Sequence, residues 1–260
     1  MISILLPTKN QTTLFPASYG SLIFQLQDTT ELCEIIVVND NKPGENPQMT
    51  ECLTNLSVDF CLGPSAGSIA AFEYAVSLAK GDKLLFVNDD MAFYQPFITP
   101  MLEAFSKGYS IVGAKLLYEN LTVQHAGMEF LPQHEWTSNH RYRFHPHDDP
   151  LVNSFEEVPA VTFSLTLVDT KMFHELGGFG TEYAENYADT TFCLRALEAG
   201  YKICYEPKAS AIHYESATRG HNEKVNEECF NTFKATWVRT GRLKKLLGEK
   251  GFLDEHGATV

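Results

Sequence analysis

A chain of 260 residues with 44% hydrophobic and 20% charged side chains fits one large α/β domain or two small ones, with enough apolar mass for a full core. A net charge of -13 argues against nucleic acid as a partner, because phosphate backbones recruit basic surfaces. No stretch approaches the ~18 consecutive apolar residues of a membrane span.

The six cysteines, Cys33, Cys52, Cys61, Cys193, Cys204 and Cys229, form no CxxC pair, a pattern expected of reduced thiols in a cytoplasmic protein. The first ten residues carry no basic segment ahead of an apolar run, so no secretory signal is expected. Sequons at Asn10, Asn55 and Asn120 carry little weight without one.

In chain order, Ile2 to Leu6 is a short apolar run ended by Pro7 and predicts the first strand. A helix is predicted over 14–26, a second strand over 35–38 and a third over 60–62. A second helix over 66–79 follows, with Ala70, Ala71, Tyr74, Ala75 and Leu78 near a 3.6-residue period. Leu84 to Val87 is the fourth strand. Strands alternating with helices predict a mainly parallel, doubly wound α/β sheet. No GxGxxG follows the first strand and no GxxxxGK[ST] occurs, so neither a dinucleotide-binding Rossmann domain nor a P-loop enzyme is expected.

The fourth strand ends in Asn88-Asp89-Asp90. Ligands of open α/β sheets bind at the carboxyl ends of strands. Adjacent carboxylates there repel unless something neutralises them, and a divalent cation that does so also grips a diphosphate. The competing explanation is a solvated turn or helix cap.

Ser110 to Leu117 predicts a further strand. The segment 130–157 then mixes histidines, prolines and aromatics without a period. Its histidines, His134, His140, His145 and His147, match no zinc spacing, and a loop covering a substrate is the expectation. Strand-like 160–168 is followed by a short helix over 172–176 ended by Gly177-Gly178. A helix over 189–199 is closed by Gly200, and short strands follow over 201–205 and 209–213. The tail from Lys234 to Lys245 holds five basic residues and no acids. With Trp237, Val238, Leu243, Leu246 and Leu247 among them, it fits either a peripheral contact of 234–247 with an anionic inner membrane face or a terminal helix packed on the domain.

Six segments in this order resemble glycosyltransferase family 2, with its GT-A fold. They are ISILLPTKN, EIIVVNDN, AKGDKLLFVNDDM, IVGAKLLYENLTVQHAGM, VTFSLTLVDTKMFHELGGFGTEY and DTTFCLRALEAGYKICYEPKASAIHYESATRG, spanning Ser3 to Arg219. The fourth is similar to bacterial, rhamnosyltransferase-like members that build surface polysaccharides. The resemblance implies a GT-A domain over 1–220. Its nucleotide-binding half would cover about 1–118, and a smaller, partly antiparallel acceptor half about 119–220. A C-terminal helical extension would cover 221–260.

The implied activity is metal-dependent, inverting transfer of a sugar from a nucleoside-diphosphate sugar to a hydroxyl of a glycan or lipid-linked glycan. In the resembled motifs Asp90 holds Mn²⁺ or Mg²⁺. Asp89 contacts the ribose or shares the metal, and Asn88 bonds the ribose. His213 is a metal or diphosphate ligand, or else a structural histidine. Asp40 reads the nucleobase, or caps a turn, with Pro7 and Thr8 in the same pocket and Gly67 approaching the donor by its backbone. Asp189 is the catalytic base or an N-cap, with Glu185 in reserve. Trp136, His140, Arg141 and Tyr142 are acceptor-site candidates, together with Glu185, since rings pack on sugar faces and Arg bonds hydroxyls or phosphates.

The sequence departs from the family at several points, among them Asn41-Lys42 in place of the usual Gly-Ser and Asn88 where some members carry an acid. Ala188 and Thr191 replace acids beside Asp189, which keeps alive a weak or inactive glycan-binding relative. Phe72 and Glu73 stand where members often carry Asn or Arg-Asn. A sugar-nucleotide pyrophosphorylase is disfavoured, because Pro7-Thr8-Lys9-Asn10 replaces that class's Gly-rich basic loop.

Overall fold

The computed structural model describes residues 1–214 and 223–254. In chain order its first half comprises β1 (Ile2–Thr8), α1 (Phe15–Leu26), β2 (Cys33–Asn39), α2 (Pro47–Asn55), β3 (Phe60–Leu62), α3 (Ser68–Leu78), β4 (Lys83–Val87), β5 (Met91–Ala92) and α4 (Ile98–Ser106). The second half adds β6 (Ile111–Leu117), β7 (Val123–His125), β8 (Met128–Phe130), β9 (Ser138–His140), β10 (Glu156–Glu157), β11 (Leu165–Asp169), α5 (Thr170–Glu175), α6 (Ala188–Glu198), β12 (Ile203–His213), α7 (Glu223–Phe233) and α8 (Arg242–Glu249).

Successive strand side chains point to opposite faces, and the apolar runs are buried on both. Ile2, Ile4, Leu6, Leu85 and Val87 pack on one face with α1, α2 and α4. Leu5, Leu84 and Phe86 pack on the other with α3, α5, α6, α7 and α8. Continuous apolar strands covered on both sides are what a parallel sheet requires. Phe86 is the hub of the second face, with ring centroids 5.2 Å from Phe72, 4.9 Å from Phe163, 5.5 Å from Phe173 and 5.6 Å from Phe179.

The main strand order is β10-β12-β6-β11-β4-β1-β2-β3, with β5 on β12 and β7 on β6. The strands β3, β2, β1 and β4 run parallel, as do β6 and β12, while β11 lies antiparallel between β4 and β6. The predicted α/β class with a mostly parallel sheet and a smaller antiparallel part is what the chain adopts.

Several local expectations are corrected. The strand expected from residue 160 begins at Leu165. The two short strands expected over 201–205 and 209–213 are one strand, β12, with a bulge between Glu206 and Ser210 that accommodates Pro207. The segment 130–157 is not a bare loop. Within it β9 pairs with β8, a 3₁₀ turn spans Pro150–Asn153, and β10 joins the sheet edge on β12.

The C-terminal helices share the core of α3 and α6: Phe233, Trp237, Leu243, Leu246 and Leu247 are all buried in it. Among the tail's cations, Lys234 pairs with Glu135, Arg242 with Glu198 and Lys245 with Glu249. The Lys244 ammonium lies 5.6 Å from the Trp136 ring centroid. The packed-helix alternative therefore accounts for the apolar residues of 234–247, which are turned inward rather than toward a membrane surface. No helix among the described residues is long and apolar enough to cross a membrane.

Candidate active site

A cleft of about 620 Å³ opens at the carboxyl ends of β1 and β4 and beside the residue that follows β2. Its lining brings together Pro7, Thr8, Asp40, Gly67, Asn88, Asp89, Asp90, His140, Glu185, Asp189 and His213 from the sequence-predicted set. Trp136, Arg141 and Tyr142 are not in it. The Trp136 ring packs on the core beneath Lys244. The Arg141 guanidinium is buried and pairs with Glu156 while also donating to the Tyr142 hydroxyl. Trp136 fastens the 130–157 segment to the core, and Arg141 ties that segment to itself.

Strand register assembles the acidic corner. His213 ends β12 directly opposite Met91 of β5, so its ring falls beside Asp90. The Tyr214 amide donates to the Asp90 carbonyl at 2.9 Å and locks the turn to that strand. His213 Nε2 then lies 3.1 Å from Asp90 Oδ1, and both side chains are buried. Asn88 Nδ2, which also donates to Ser164 Oγ at 3.1 Å, sits 3.2 Å from the same Nε2.

The other ring nitrogen, Nδ1, meets Gln124 Oε1 at 2.6 Å, and Gln124 Nε2 donates to the His213 carbonyl at 3.2 Å. A carboxamide oxygen only accepts, so Gln124 places the ring proton on Nδ1. Nε2 then accepts from Asn88 Nδ2 and also faces Asp90 Oδ1, a buried carboxylate oxygen that has no hydrogen-bond partner. Two electron-pair donors facing each other at this distance call for a proton or a cation between them.

The donor set suits Mg²⁺ or Mn²⁺. Such ions take one or two protein carboxylates and complete their shell with substrate phosphates and water, and the outward nitrogen of a ligating histidine is typically tied to a carbonyl. Among the described residues no group of three or more His, Cys, Asp or Glu side chains converges as a closed metal cage. Asp90 and His213 are the side chains that could hold such an ion together with a ligand's phosphates.

Asp89 is tied to the end of β1, accepting from the Thr8 hydroxyl and the Lys9 amide. Burial pushes its carboxyl up to about 7, against the Thr8 bond and with help from the neighbouring Asp90 charge. Asp40 faces the cleft while accepting from the Ser65 amide at 2.7 Å and the Gly67 amide at 3.1 Å. It thereby anchors the loop that starts α3. Gly67 is the residue before that helix with φ 99°, a backbone state that side-chain-bearing residues resist. The turn-cap role considered for Asp40 is thus real, and it leaves carboxylate lone pairs facing the cleft.

Asp189 is not an N-cap. The cap position of α6 belongs to Tyr187, whose left-handed φ of 68° turns the chain into the helix. That conformation costs about 1–2 kcal/mol for a residue with a side chain. The Tyr187 ring stacks on Phe233 with centroids 4.7 Å apart, which offsets about 0.5–1.5 kcal/mol. Asp189 sits in the first turn, where the helix dipole favours a carboxylate. It accepts from the Thr190 amide at 2.7 Å and the Phe163 amide at 3.4 Å.

Sequence reasoning missed several cleft residues: Gln124, Ser138, Thr162, Ser164 and Thr190. The sole signal was that Gln124, Thr162, Ser164 and Thr190 lie in family-like segments. Single polar residues on very short strands carry no pattern of their own. The segment beyond Tyr214, where the resemblance continues to Arg219, lies outside the described residues.

The model of the family described as Glycosyl transferase family 2 matches residues 3–177. "O-antigen biosynthesis protein RfbC" of Myxococcus xanthus is 24% identical over 258 residues, covering 96% of this chain and 20% of that protein. "Uncharacterized protein y4gI" of Sinorhizobium fredii (strain NBRC 101917 / NGR234) is 28% identical over 156 residues, covering 57% of this chain and 17% of that protein. The chain thus spans no more than a fifth of the length of these curated relatives.

The crystal structure of GalNAc-T7 with UDP, GalNAc and Mn²⁺ superposes with a TM-score of 0.67 at 15% identity, covering 96% of this chain and 50% of that one. This likeness establishes the GT-A fold. With the family model spanning the sheet except β12 and taking in Asp40, Asp89 and Asp90 of the cleft, the chain belongs to glycosyl transferase family 2.

Proposed function

We propose that the cleft binds a nucleoside-diphosphate sugar and transfers the sugar, with inversion, to a hydroxyl of a glycan or lipid-linked glycan. The observation that carries this reading is the buried Asp90 Oδ1–His213 Nε2 pair, 3.1 Å apart and lacking a hydrogen-bonded proton donor for Oδ1, in the same cleft as Asp189. Asp90 and His213 would hold the divalent cation, with Asp89 adding charge or contacting the ribose. A divalent cation bound there supplies Lewis-acid neutralisation of the charge that grows on the departing diphosphate. The Myxococcus xanthus relative is named an O-antigen biosynthesis protein and the solved neighbour holds UDP and Mn²⁺, which supports the same assignment.

The residues divide the chemistry between them. Asp40 accepts N–H donors on the nucleobase edge, with Pro7 and Thr8 beside it. Asp189 takes the proton of the acceptor hydroxyl as that oxygen bonds to C1. The C1–O bond to the diphosphate breaks with its electron pair leaving on the phosphate oxygen. Attack opposite the leaving group inverts C1. The 2.7 Å bond from the Thr190 amide and the 3.4 Å contact with the Phe163 amide fix the carboxylate's direction.

A second reading, a non-catalytic glycan-binding relative, draws on Ala188 and Thr191. Both are buried, so no acid flanks Asp189 where family members carry them.

Asp189→Asn separates the two. Release of nucleoside diphosphate from a panel of nucleotide sugars with Mn²⁺ is expected to fall by about 10²–10⁴, the usual worth of a positioned base, with nucleotide affinity unchanged. Release by Asp189→Asn at the wild-type rate would remove Asp189 from the chemistry. Binding without turnover in the wild type would favour the second reading.

A further inference from the structure

A second cavity, of about 500 Å³, shares no lining residue with the cleft. Gln95, Pro96 and Pro100 line it from the start of α4, Lys115 from β6, Asn153 from the 3₁₀ turn, and Pro207 and Lys208 from the β12 bulge.

Lys115 is out of character with its surroundings. Its strand neighbours Ala114 and Leu116 belong to the apolar core, and Lys115 itself is only 7% exposed. It lies opposite Ser210, where β12 rejoins the ladder after its bulge. Its ammonium donates to Asn153 Oδ1 at 2.7 Å and to the His147 carbonyl at 3.4 Å. Both partners are uncharged, and an ammonium has a third N–H to place. No carboxylate among the described residues pairs with it, and burial pulls its pKa below the usual lysine value. Buried charges in folded proteins are normally paired.

The acids close by in the chain are committed elsewhere. Glu206 of the bulge accepts the Lys208 amide at 2.9 Å. Asp149 accepts from the His145 ring at 3.0 Å and from the Leu151 amide at 2.9 Å. Neither lines the cavity.

The rest of the cavity suits an anion. Lys208 brings a second cation, on an exposed residue. Gln95 joins two sides of the rim, its Nε2 donating to the Lys208 carbonyl at 2.9 Å. Asn153 is held in place by donating to the His147 and Asp149 carbonyls at 3.0 and 2.8 Å. Pro96, Pro100 and Pro207 have a fixed φ, so the rim has little freedom to lose when a ligand binds. Pro96 and Pro100 also bring the start of α4 to the rim. No side chain caps that start, and the helix dipole adds to the positive potential there.

We propose that this cavity is a binding site for a phosphoryl group, with Lys115 as its buried cation and Lys208 as its rim cation. A phosphoryl oxygen takes the remaining N–H of Lys115 and supplies the countercharge that the fold does not. Lys208 and His213 lie on one strand, roughly 15 Å apart at about 3.3 Å per residue. One small anion cannot touch both, so this site is separate from the one that would hold a donor diphosphate, and it stands whether or not the transfer reading does. A free phosphate compound and a phospholipid headgroup offer the same chemistry.

The test is ¹H–¹⁵N correlation spectroscopy on the full chain, titrated with inorganic phosphate in the presence of EDTA, which keeps metal-bridged phosphate out of the acidic cleft. The wild type is expected to show saturable shifts of the Gln95, Lys115, Asn153 and Lys208 amides. Lys115→Gln keeps a donor for Asn153 but removes the charge, and is expected to weaken phosphate binding about 10-fold or more. Lys208→Gln, at the exposed position, is expected to weaken it about 2- to 5-fold. Absence of saturable shifts at these amides in the wild type overturns the proposal whether or not any variant folds, and so does unchanged phosphate affinity in folded Lys115→Gln. If Lys115→Gln does not fold, Lys208→Gln decides, and unchanged affinity there overturns the site.

Flotation with phosphatidylcholine vesicles, with and without phosphatidic acid, separates the two sources. Recovery with phosphatidic acid vesicles that free phosphate competes away and Lys208→Gln reduces assigns the phosphoryl group to a lipid. Phosphate shifts without flotation assign it to a soluble compound.

Discussion

Glu73 shows what a single side chain holds in this fold. From α3 its Oε1 accepts the Phe179 amide at 2.6 Å, and it packs against Gly178, whose φ is 63° and where a Cβ would meet that same Oε1 at 2.4 Å. Arg195 grips the turn from α6, donating to the Leu176 carbonyl at 2.7 Å and to the Gly178 carbonyl. The Gly-Gly-Phe turn is thus clamped from two helices, and Phe179 is delivered into the Phe86 aromatic cluster below the cleft. The position at which the resembled family often carries Asn or Arg-Asn here serves the chain's own turn. Glu73→Ala leaves the Phe179 amide without its partner and is expected to cost about 1–3 kcal/mol, read as a lowered denaturation midpoint. Glu73→Gln, which keeps an acceptor oxygen, is expected to recover most of it. Equal stability of Glu73→Ala and wild type would show that the clamp carries nothing. At this scale the acids were legible, because Asp89 and Asp90 end an apolar strand and Asp189 opens a helix. Gln124 was not, because its importance lies in which ring it meets across the fold.

Elements were legible in proportion to their periodicity. The strands β1, β2 and β4 and the helices α1, α3 and α6 stand where alternation and helical spacing put them, to within a few residues. Two helices escaped. In α4, Pro100 interrupts the pattern, yet it lies in the first turn, where a missing N–H breaks no helical bond. In α2 only Met49 and Leu53 are buried, too few for an apolar stripe, although Asn46 caps the helix by accepting the Met49 amide at 3.0 Å. The strands β7, β8 and β9 are three residues each, below the length at which alternation can be read. They nonetheless build the wall that carries Gln124, His125 and His140. The C-terminal elements bear on the site through the core: Phe233 stacks on Tyr187, which in turn starts α6 and aims Asp189. Deleting every residue after Thr232 removes Phe233, Trp237, Leu243, Leu246 and Leu247 from the core. At about 1.5–3 kcal/mol for each large apolar side chain, that loss rivals the roughly 5–15 kcal/mol of a whole domain. The truncated chain is expected to show no cooperative unfolding transition. A truncated chain that melts like the full one would mean the tail is an appendage, free to serve a surface instead.

For the molecule as a whole, charge sets the terms of binding. A chain of net charge -13 gathers Asp40, Asp89, Asp90, Glu185 and Asp189 in one cleft, and a nucleoside diphosphate adds more negative charge. On the proposed function, such a ligand would enter with a divalent cation, which Asp90 and His213 would hold. The decisive measurement is thermal unfolding of the wild type and Asp90→Asn with UDP, TDP, GDP or CDP, each with and without Mn²⁺. At about 100 times Kd a ligand adds roughly 2.7 kcal/mol to the folded state, which a melting curve resolves. Stabilisation of the wild type by a nucleotide only when Mn²⁺ is present, and its loss in Asp90→Asn, is the predicted result. Stabilisation by no nucleotide, or an Asp90→Asn response equal to the wild type's, would contradict the account.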